Sequence, residues 1–306
     1  MNKKILIAGG TGFIGMPLAD HLVRQGYDVV ILSRKARNSP NTKLSTNIEF
    51  AMWDAKTGDG WCEKYDGAHV IINLAGQNIA SGLWTKRRKK RILQSRIDAG
   101  TAIVDGVNRM KAKPELIIQA SGVGYYGLED HKKFNEDSPN GFGFLASVAK
   151  AWESAILPLE SQTNVAILRF GVVLHRDALL IKMATLQFRM YLGGHLGSGK
   201  QWMSWIYRDE LLDIITFIIR NKAKGVYNVC SPRPVTGKEF FAAFAQAIQR
   251  PSWFPVPYFI LRTLAGELAN EMILNGQRVI PKRLLEVGYR FQYEDIQTVM
   301  RQILKS

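Results

Sequence analysis

The chain predicts an α/β protein, a Rossmann-type doubly wound parallel sheet carrying a small, mostly helical C-terminal lobe. Three observations predict it. The apolar run Ile5-Leu6-Ile7-Ala8 ends in glycines spaced G-x-x-G-x-x-G (Gly9, Gly12, Gly15), and Met16 to Gly26 continues with helical periodicity. Short apolar runs then alternate with helical patterns through the first half, the signature of parallel strands covered on both faces. From Pro232 the texture changes: helical stretches are interrupted by Pro251, Pro255 and Pro257. The reading divides the chain at 1–231, the dinucleotide-binding domain with substrate-lobe segments near 176–207, and 232–306, the helical lobe.

The first strand, Lys4–Ala8, and the helix from Gly15 to Gln25 enclose the glycine turn. Gly9 allows the tight turn, Gly12 lets backbone approach a diphosphate, and Gly15 lets helix pack on strand. Thr11, Phe13 and Ile14 complete a helix head whose open amides suit an anion. The second strand, Val29–Leu32, ends in Ser33-Arg34-Lys35, with Asp28 at its other end. A carboxylate after this strand would bind a ribose 2′-hydroxyl. A hydroxyl and two cations suit a 2′-phosphate instead, so NADP(H) is expected over NAD. Ordinary solvated loop cations are the alternative reading of Arg34 and Lys35. Further strands are expected at Ile48–Trp53, Val70–Leu74, Leu116–Ser121, Val165–Phe170 and Gly225–Val229. Helices are expected at Lys86–Met110, Ala146–Leu159 (closed by Pro158), Arg208–Arg220, Lys238–Gln249, Tyr258–Asn275 and Pro281–Val287.

The composition bounds the function. At 306 residues, 46% hydrophobic and 22% charged, the chain can bury a large core. No apolar run reaches the roughly 18 to 20 residues of a membrane span, and a strand opens the chain, so neither membrane partner nor signal peptide is expected. Two distant cysteines, Cys62 and Cys230, suit a reducing cytoplasm, and the histidines show no ligand spacing, so no metal is expected. The net charge of +15 concentrates at Lys86-Arg87-Arg88-Lys89-Lys90-Arg91. A solvated helix face, attraction of phosphorylated ligands and nucleic-acid binding are all open for this run, although no aromatic interleaving supports the last.

The carboxyl ends of strands line the ligand crevice of such a sheet. Asn73-Leu74-Ala75-Gly76 follows the fourth strand, where Ala75 and Gly76 let backbone lie along a cofactor; a simple turn is the alternative. Ala120-Ser121-Gly122-Val123-Gly124-Tyr125-Tyr126-Gly127 follows the fifth. Ser121 can bond a substrate oxygen or cap the strand end. Tyr125 and Tyr126 can wall a pocket or pass a proton, although a phenol with a pKa near about 10 is a poor acid at neutral pH.

On these motifs the chain resembles the extended short-chain dehydrogenase/reductase superfamily, and within it the atypical "nucleoside-diphosphate-sugar epimerase-like" branch. The resemblance also rests on Ser95-Arg96, Phe144-Leu145-Ala146, Ala151-Trp152-Glu153, Arg169 to Leu174, Gly193 to Gly199 and Gln201 to Ile206. Gly276 to Leu284 resembles the branch's C-terminal domain of unknown function. The superfamily's proton relay is a Tyr-x-x-x-Lys pair. The resemblance aligns Lys150 with the lysine, reaching the nicotinamide ribose, and Ala146 with the tyrosine, so the usual relay cannot be carried over. It further implies that Ser33 and Arg34 contact the 2′-phosphate and that Leu74, Ala75 and Gly76 contact the dinucleotide. Arg96 is implied at the cofactor phosphates or ribose, Val172 at the carboxamide, and Asp54 at the adenine, where a local cap is the alternative for Asp54.

Two functions fit. One is an NADP(H)-dependent oxidoreductase or sugar-nucleotide epimerase-like enzyme relaying its proton through Tyr125, Tyr126 or water, on an unidentified small-molecule substrate. The other is an NADPH-binding sensor with little turnover. Gly193 to Trp205 is expected to be either a lid bringing Trp202 and Trp205 onto a ligand ring or a loop anchored by buried tryptophans. A homodimer is open, and nucleic acid is not expected.

Overall fold

The computed structural model describes residues 3–35, 48–129 and 132–305; His131, one of the histidines considered above, lies outside them. Seven strands form the main sheet: β1 (Lys4–Ala8), β2 (Asp28–Ser33), β3 (Ile48–Met52), β4 (Val70–Asn73), β5 (Leu116–Gly122), β6 (Asn164–Phe170) and β7 (Gly225–Val229). Their order is β7-β6-β5-β4-β1-β2-β3 and every pairing is parallel, with Ala8 beside both Leu32 and Asn73. The chain reverses its direction of winding between β1 and β4, so the crevice at their carboxyl ends is where a ligand belongs in this architecture.

Alternate residues of a strand face opposite sides of the sheet. Ile5 and Ile7 therefore pack with Leu18 and Leu22 on one face, and Leu6 and Ala8 with Ala99 and Ile103 on the other. All of these are essentially inaccessible to solvent. Both faces being covered explains the unbroken apolar runs. The covering helices include α1 (Gly15–Arg24), α2 (Lys86–Arg109) and α3 (Phe144–Ser154). They are followed by α4 (Leu179–Arg189), α5 (Arg208–Arg220), α6 (Gly237–Ile248), α7 (Tyr258–Ala269), α8 (Lys282–Glu286) and α9 (Ile296–Lys305).

A second core joins α4 to the lobe: Ile181 and Phe188 pack with Trp205, Phe240, Phe244, Val299 and Ile303. Buried hydrophobic residues from Leu174 to Tyr207 thus share their interior with α6 and α9, except Ile206, which packs into the sheet core.

Two helices differ from expectation by more than a residue at an end. The helix expected at Ala146–Leu159 runs from Phe144 to Ser154, and Leu157–Leu159 is a separate 3-10 turn. Pro158 lacks an amide hydrogen and its ring crowds the preceding turn, so the helix stops well before it. Its start lies earlier because Glu271, from the lobe, accepts hydrogen bonds from the Phe144 and Leu145 amides at 2.7 and 2.8 Å. A sequence window cannot see a cap 126 residues away. The helix expected at Tyr258–Asn275 is broken at Gly266 (φ 56°), and Asn270–Leu274 forms a π turn.

The Gly193–Trp205 segment is anchored. Gly197 and Phe254 amides bond Val256 and Gly193 carbonyls, and Lys238 and Gly237 amides bond Gly199 and Gln201 carbonyls. Trp205 is fully buried with its indole donating to Arg233, and Trp202 lies under the Arg278 guanidinium. This packing matches the anchored alternative: the tryptophans hold the segment onto the lobe.

Candidate functional site

At the switch point, β1 runs into the glycine turn and then into α1. Gly9 has φ +77°, and a Cβ there would lie 2.8 Å from the Leu74 carbonyl and the Ala75 amide nitrogen. The β1 turn and the β4 end therefore touch backbone to backbone. No side chain caps the head of α1. Gly12 is exposed on the turn, and a Cβ there would meet only the Gly9 carbonyl oxygen, at 3.3 Å. An uncapped helix head with a bare backbone approach is the local chemistry an anion needs.

A cavity of about 450 Å³ opens from this turn. Gly9, Gly12, Phe13, Ile14 and Gly15 line one end, Leu74, Gly76 and Arg96 the middle, and Ser121, Gly122, Gly124, Leu145, Val148, Ala149 and Trp152 the other. Thr11 is exposed on the turn outside the lining. Ser33, Arg34 and Lys35 lie at the carboxyl end of β2, where Ser33 Oγ accepts the Lys35 amide and Arg34 is exposed. Asp54 is exposed after β3, its carboxylate accepting bonds from the Lys56 and Thr57 amides and the Thr57 hydroxyl. That is the local cap; its oxygens serve their own turn. Ala75 donates its amide to Asn73 Oδ1, and Asn73 is held by Gln119.

Arg96 carries the charge of the cavity. It is 7% exposed, donates to the Gln77 and Ile92 carbonyls at 3.0 Å, and lies 4.6 Å over the Trp152 ring. No ion pair reaches it among the described residues. Burial alone pushes its pKa down to about 10, so the group is a desolvated cation with no counter-charge. Gly76 is what lets it lie there, since a Cβ at Gly76 would sit 3.0 Å from the guanidinium carbon.

The expected catalytic residues are placed otherwise. Ser121 is buried and its hydroxyl donates to Glu153 at 2.6 Å. The Glu153 carboxylate also receives Arg169 in a two-point pair at 2.8 Å each. Arg169 donates in turn to the Tyr126 hydroxyl, which donates to Asn228. Burial pushes the Tyr126 phenol up to about 12, so it stays protonated near neutral pH and is a weaker acid than a free phenol. The Arg169 guanidinium stacks on the Tyr125 ring at 3.4 Å. This connected, buried network ties β5, α3, β6, β7 and the turn at 123–126 together, and no motif in the sequence announces it. Both Ser121 and Tyr126 are thereby structural in their hydrogen bonding.

Lys150 requires a correction. It is exposed, whereas the face of α3 toward the cavity carries Leu145, Val148, Ala149 and Trp152. The i, i+4 pair facing the cavity is Leu145 and Ala149, and helical spacing turns Ala146 and Lys150 away. Val172 is also outside the lining, its amide donating to the Ser204 carbonyl. In the basic run, Arg88 donates to the Asn78 carbonyl and the Ser81 hydroxyl, and Lys89 pairs with Glu267 of the lobe. The other four cations of the run are exposed.

Fold and site together define a Rossmann-type protein with an anion-binding glycine turn and a basic second-strand end. The chain belongs to the NAD dependent epimerase/dehydratase family, whose description matches residues 5–147, and residues 256–303 match a domain of unknown function, DUF1731. It is 37% identical to the epimerase family protein YfhF of Bacillus subtilis (strain 168) over 305 residues, 98% of this chain and 97% of that one. It is 35% identical to the chloroplastic epimerase family protein SDR39U1 homolog of Arabidopsis thaliana, covering 98% of this chain and 86% of the relative. Among solved structures, the human epimerase family protein SDR39U1 (isoform2), crystallised with NADPH, superposes with a TM-score of 0.86 at 29% identity, covering 99% of each chain.

Proposed function

We propose that this chain binds NADP(H) along the cavity, with the diphosphate at the head of α1 and the 2′-phosphate at Ser33, Arg34 and Lys35. The observation that carries it is the pairing of an uncapped helix head with the uncompensated Arg96 in one cavity. The human relative's NADPH complex supports the choice of dinucleotide. In this arrangement Arg96 neutralises phosphate or holds ribose at the middle of the cofactor. Gly9, Gly12 and Gly15 bring backbone close, while Phe13, Ile14, Leu74, Ala75 and Gly76 line its path. When bound, the nicotinamide supplies hydride-transfer chemistry. The fully buried, free cysteines Cys62 and Cys230 fit a cytoplasmic setting.

Arg34 decides between the cofactors. Calorimetric titration is expected to show NADPH binding at least about tenfold tighter than NADH. Arg34→Ala should remove most of that preference, since a charge-assisted bond contributes about 1.5–3 kcal/mol. Equal affinities in the parent chain would overturn the 2′-phosphate assignment.

On activity, the family supports an oxidoreductase or epimerase-like reading, with Tyr125 or water moving the proton. A second reading, a cofactor-holding sensor, is favoured by a specific observation: Ser121 and Tyr126 are engaged in the network and Lys150 faces outward. Following NADPH absorbance across carbonyl and sugar-nucleotide substrates separates them. Turnover supports the enzyme; tight NADPH binding without turnover supports the sensor.

A further inference from the structure

Helix α4 is apolar on both sides. Ile181, Ala184 and Phe188 point into the lobe and are buried. Leu179, Met183, Leu186 and Met190, at i, i+4, i+7 and i+11, form a second stripe that is between 52% and 63% exposed. A helix apolar all round is normally enclosed, and an exposed apolar face of this kind marks an interaction site.

The stripe does not stand alone. Tyr191 and Leu192 continue it, and the segment from 250 to 260 lies alongside, with Trp253 76% and Phe259 67% exposed. Backbone bonds of 2.9 Å from Phe254 to Gly193 and from Val256 to His195 join the two segments. The Arg250 guanidinium caps the Tyr191 ring at 4.9 Å.

Charge identifies the occupant. From Ala178 to Lys200 the formal charges are Lys182, Arg189 and Lys200, and from Gln249 to Gly266 they are Arg250 and Arg262; neither stretch contains Asp or Glu. Asp177, 3.9 Å from the Lys182 ammonium, and Glu267, paired with Lys89, border the two stretches. A two-fold contact between copies would set this surface against itself, cations facing cations with no carboxylate inside the patch to separate them. A bilayer bearing anionic headgroups meets both demands: acyl chains take the Leu, Met and Phe side chains, and phosphates take the cations. Trp253, Tyr191 and Tyr258 are the amphipathic aromatics that settle at headgroup level.

We propose that the outer face of α4 and the adjoining 250–262 segment dock this protein onto the surface of an anionic phospholipid bilayer. No described helix is long and apolar enough to cross a membrane, so the contact is peripheral. The inference is independent of the cofactor reading.

The test is flotation of the full chain with extruded vesicles of phosphatidylcholine alone or with about 30% phosphatidylglycerol. The expected result is at least about tenfold greater partitioning onto the anionic vesicles, weakening as salt rises. Leu186→Glu and Phe259→Glu should each reduce it by about tenfold or more, with melting temperature and NADPH titration unchanged as evidence of folding. Equal partitioning on both vesicles, or none, overturns the proposal. So does anionic binding that both glutamate variants leave intact, which would place it on the basic run at 86–91. A dimer in light scattering that Leu186→Glu splits would give the face to a second copy and overturn it as well.

Discussion

Replacing Arg169 by methionine should destabilise the protein by about 3–5 kcal/mol, because it leaves the Glu153 carboxylate buried without its cation. The side chains of the pair are 5% and 8% exposed, so water cannot compensate for the loss. Two further groups lose a partner in the same substitution: the Tyr126 hydroxyl and the Tyr125 ring face. Thermal unfolding followed by circular dichroism should show a fall in Tm of roughly 5–15 °C. Arg169→Lys should not restore it, since an ammonium cannot make the two-point contact that Nε and Nη2 make with Glu153. The double variant Arg169→Met with Glu153→Met should lose less than the sum of the single ones, because no orphaned charge remains. An additive double variant, or a single variant melting within about 1 °C of the parent, would show that the network does not hold these elements together.

That network also marks where sequence reasoning stops. The sheet was legible because each strand is built round a mostly apolar run bounded by turn residues, and the first turn because glycines at three fixed places have few other uses. Arg96 was legible as a site candidate only through resemblance, since nothing local distinguishes it from the other cations of α2. Its burial and missing counter-charge emerge from the approach of Gly76 and Trp152. Ser121 reads as a substrate contact or a strand-end cap and Tyr126 as a pocket wall or proton carrier, and nothing near either in sequence points to Glu153, Arg169 or Asn228. Those partners lie 32, 43 and 102 residues from the hydroxyls they engage, beyond any periodicity.

Lys150 shows a different limit. One position along α3 turns a side chain by about 100°, so aligning Tyr-x-x-x-Lys one residue late moves both members off the cavity face. The network supplies the register: Glu153 points inward to Ser121, and Leu145 and Ala149, two turns and one turn before it, face the same way. Neither can donate a proton. Helix α4 went unassigned because it has apolar residues on both faces; α9, also unassigned, does carry a readable i, i+3, i+4, i+7 stripe in Ile296, Val299, Met300 and Ile303.

Gly12→Asp should weaken NADPH binding by about a hundredfold or more while leaving the fold intact. An added Cβ meets only the Gly9 carbonyl oxygen, at 3.3 Å, a contact that a shift of a few tenths of an ångström in the turn relieves. A Cβ at Gly15, by contrast, would lie 2.5 Å from the Gly10 Cα and force the turn apart. A carboxylate at residue 12 would occupy the approach to the α1 amides and be stabilised there by the helix dipole. It would also repel a diphosphate; one unit-charge contact at about 4 Å costs about 4 kcal/mol at an effective dielectric constant near 20. Fluorescence titration of NADPH should therefore lose saturation in the accessible range, with Tm within about 2 °C of the parent, the bound expected when a surface position away from the core is changed. Gly12→Ala should lose far less, since its methyl carries no charge and presses only on the Gly9 carbonyl oxygen. Retention of NADPH binding by Gly12→Asp to within about threefold would remove the diphosphate from the head of α1, and with it the functional assignment built on that turn.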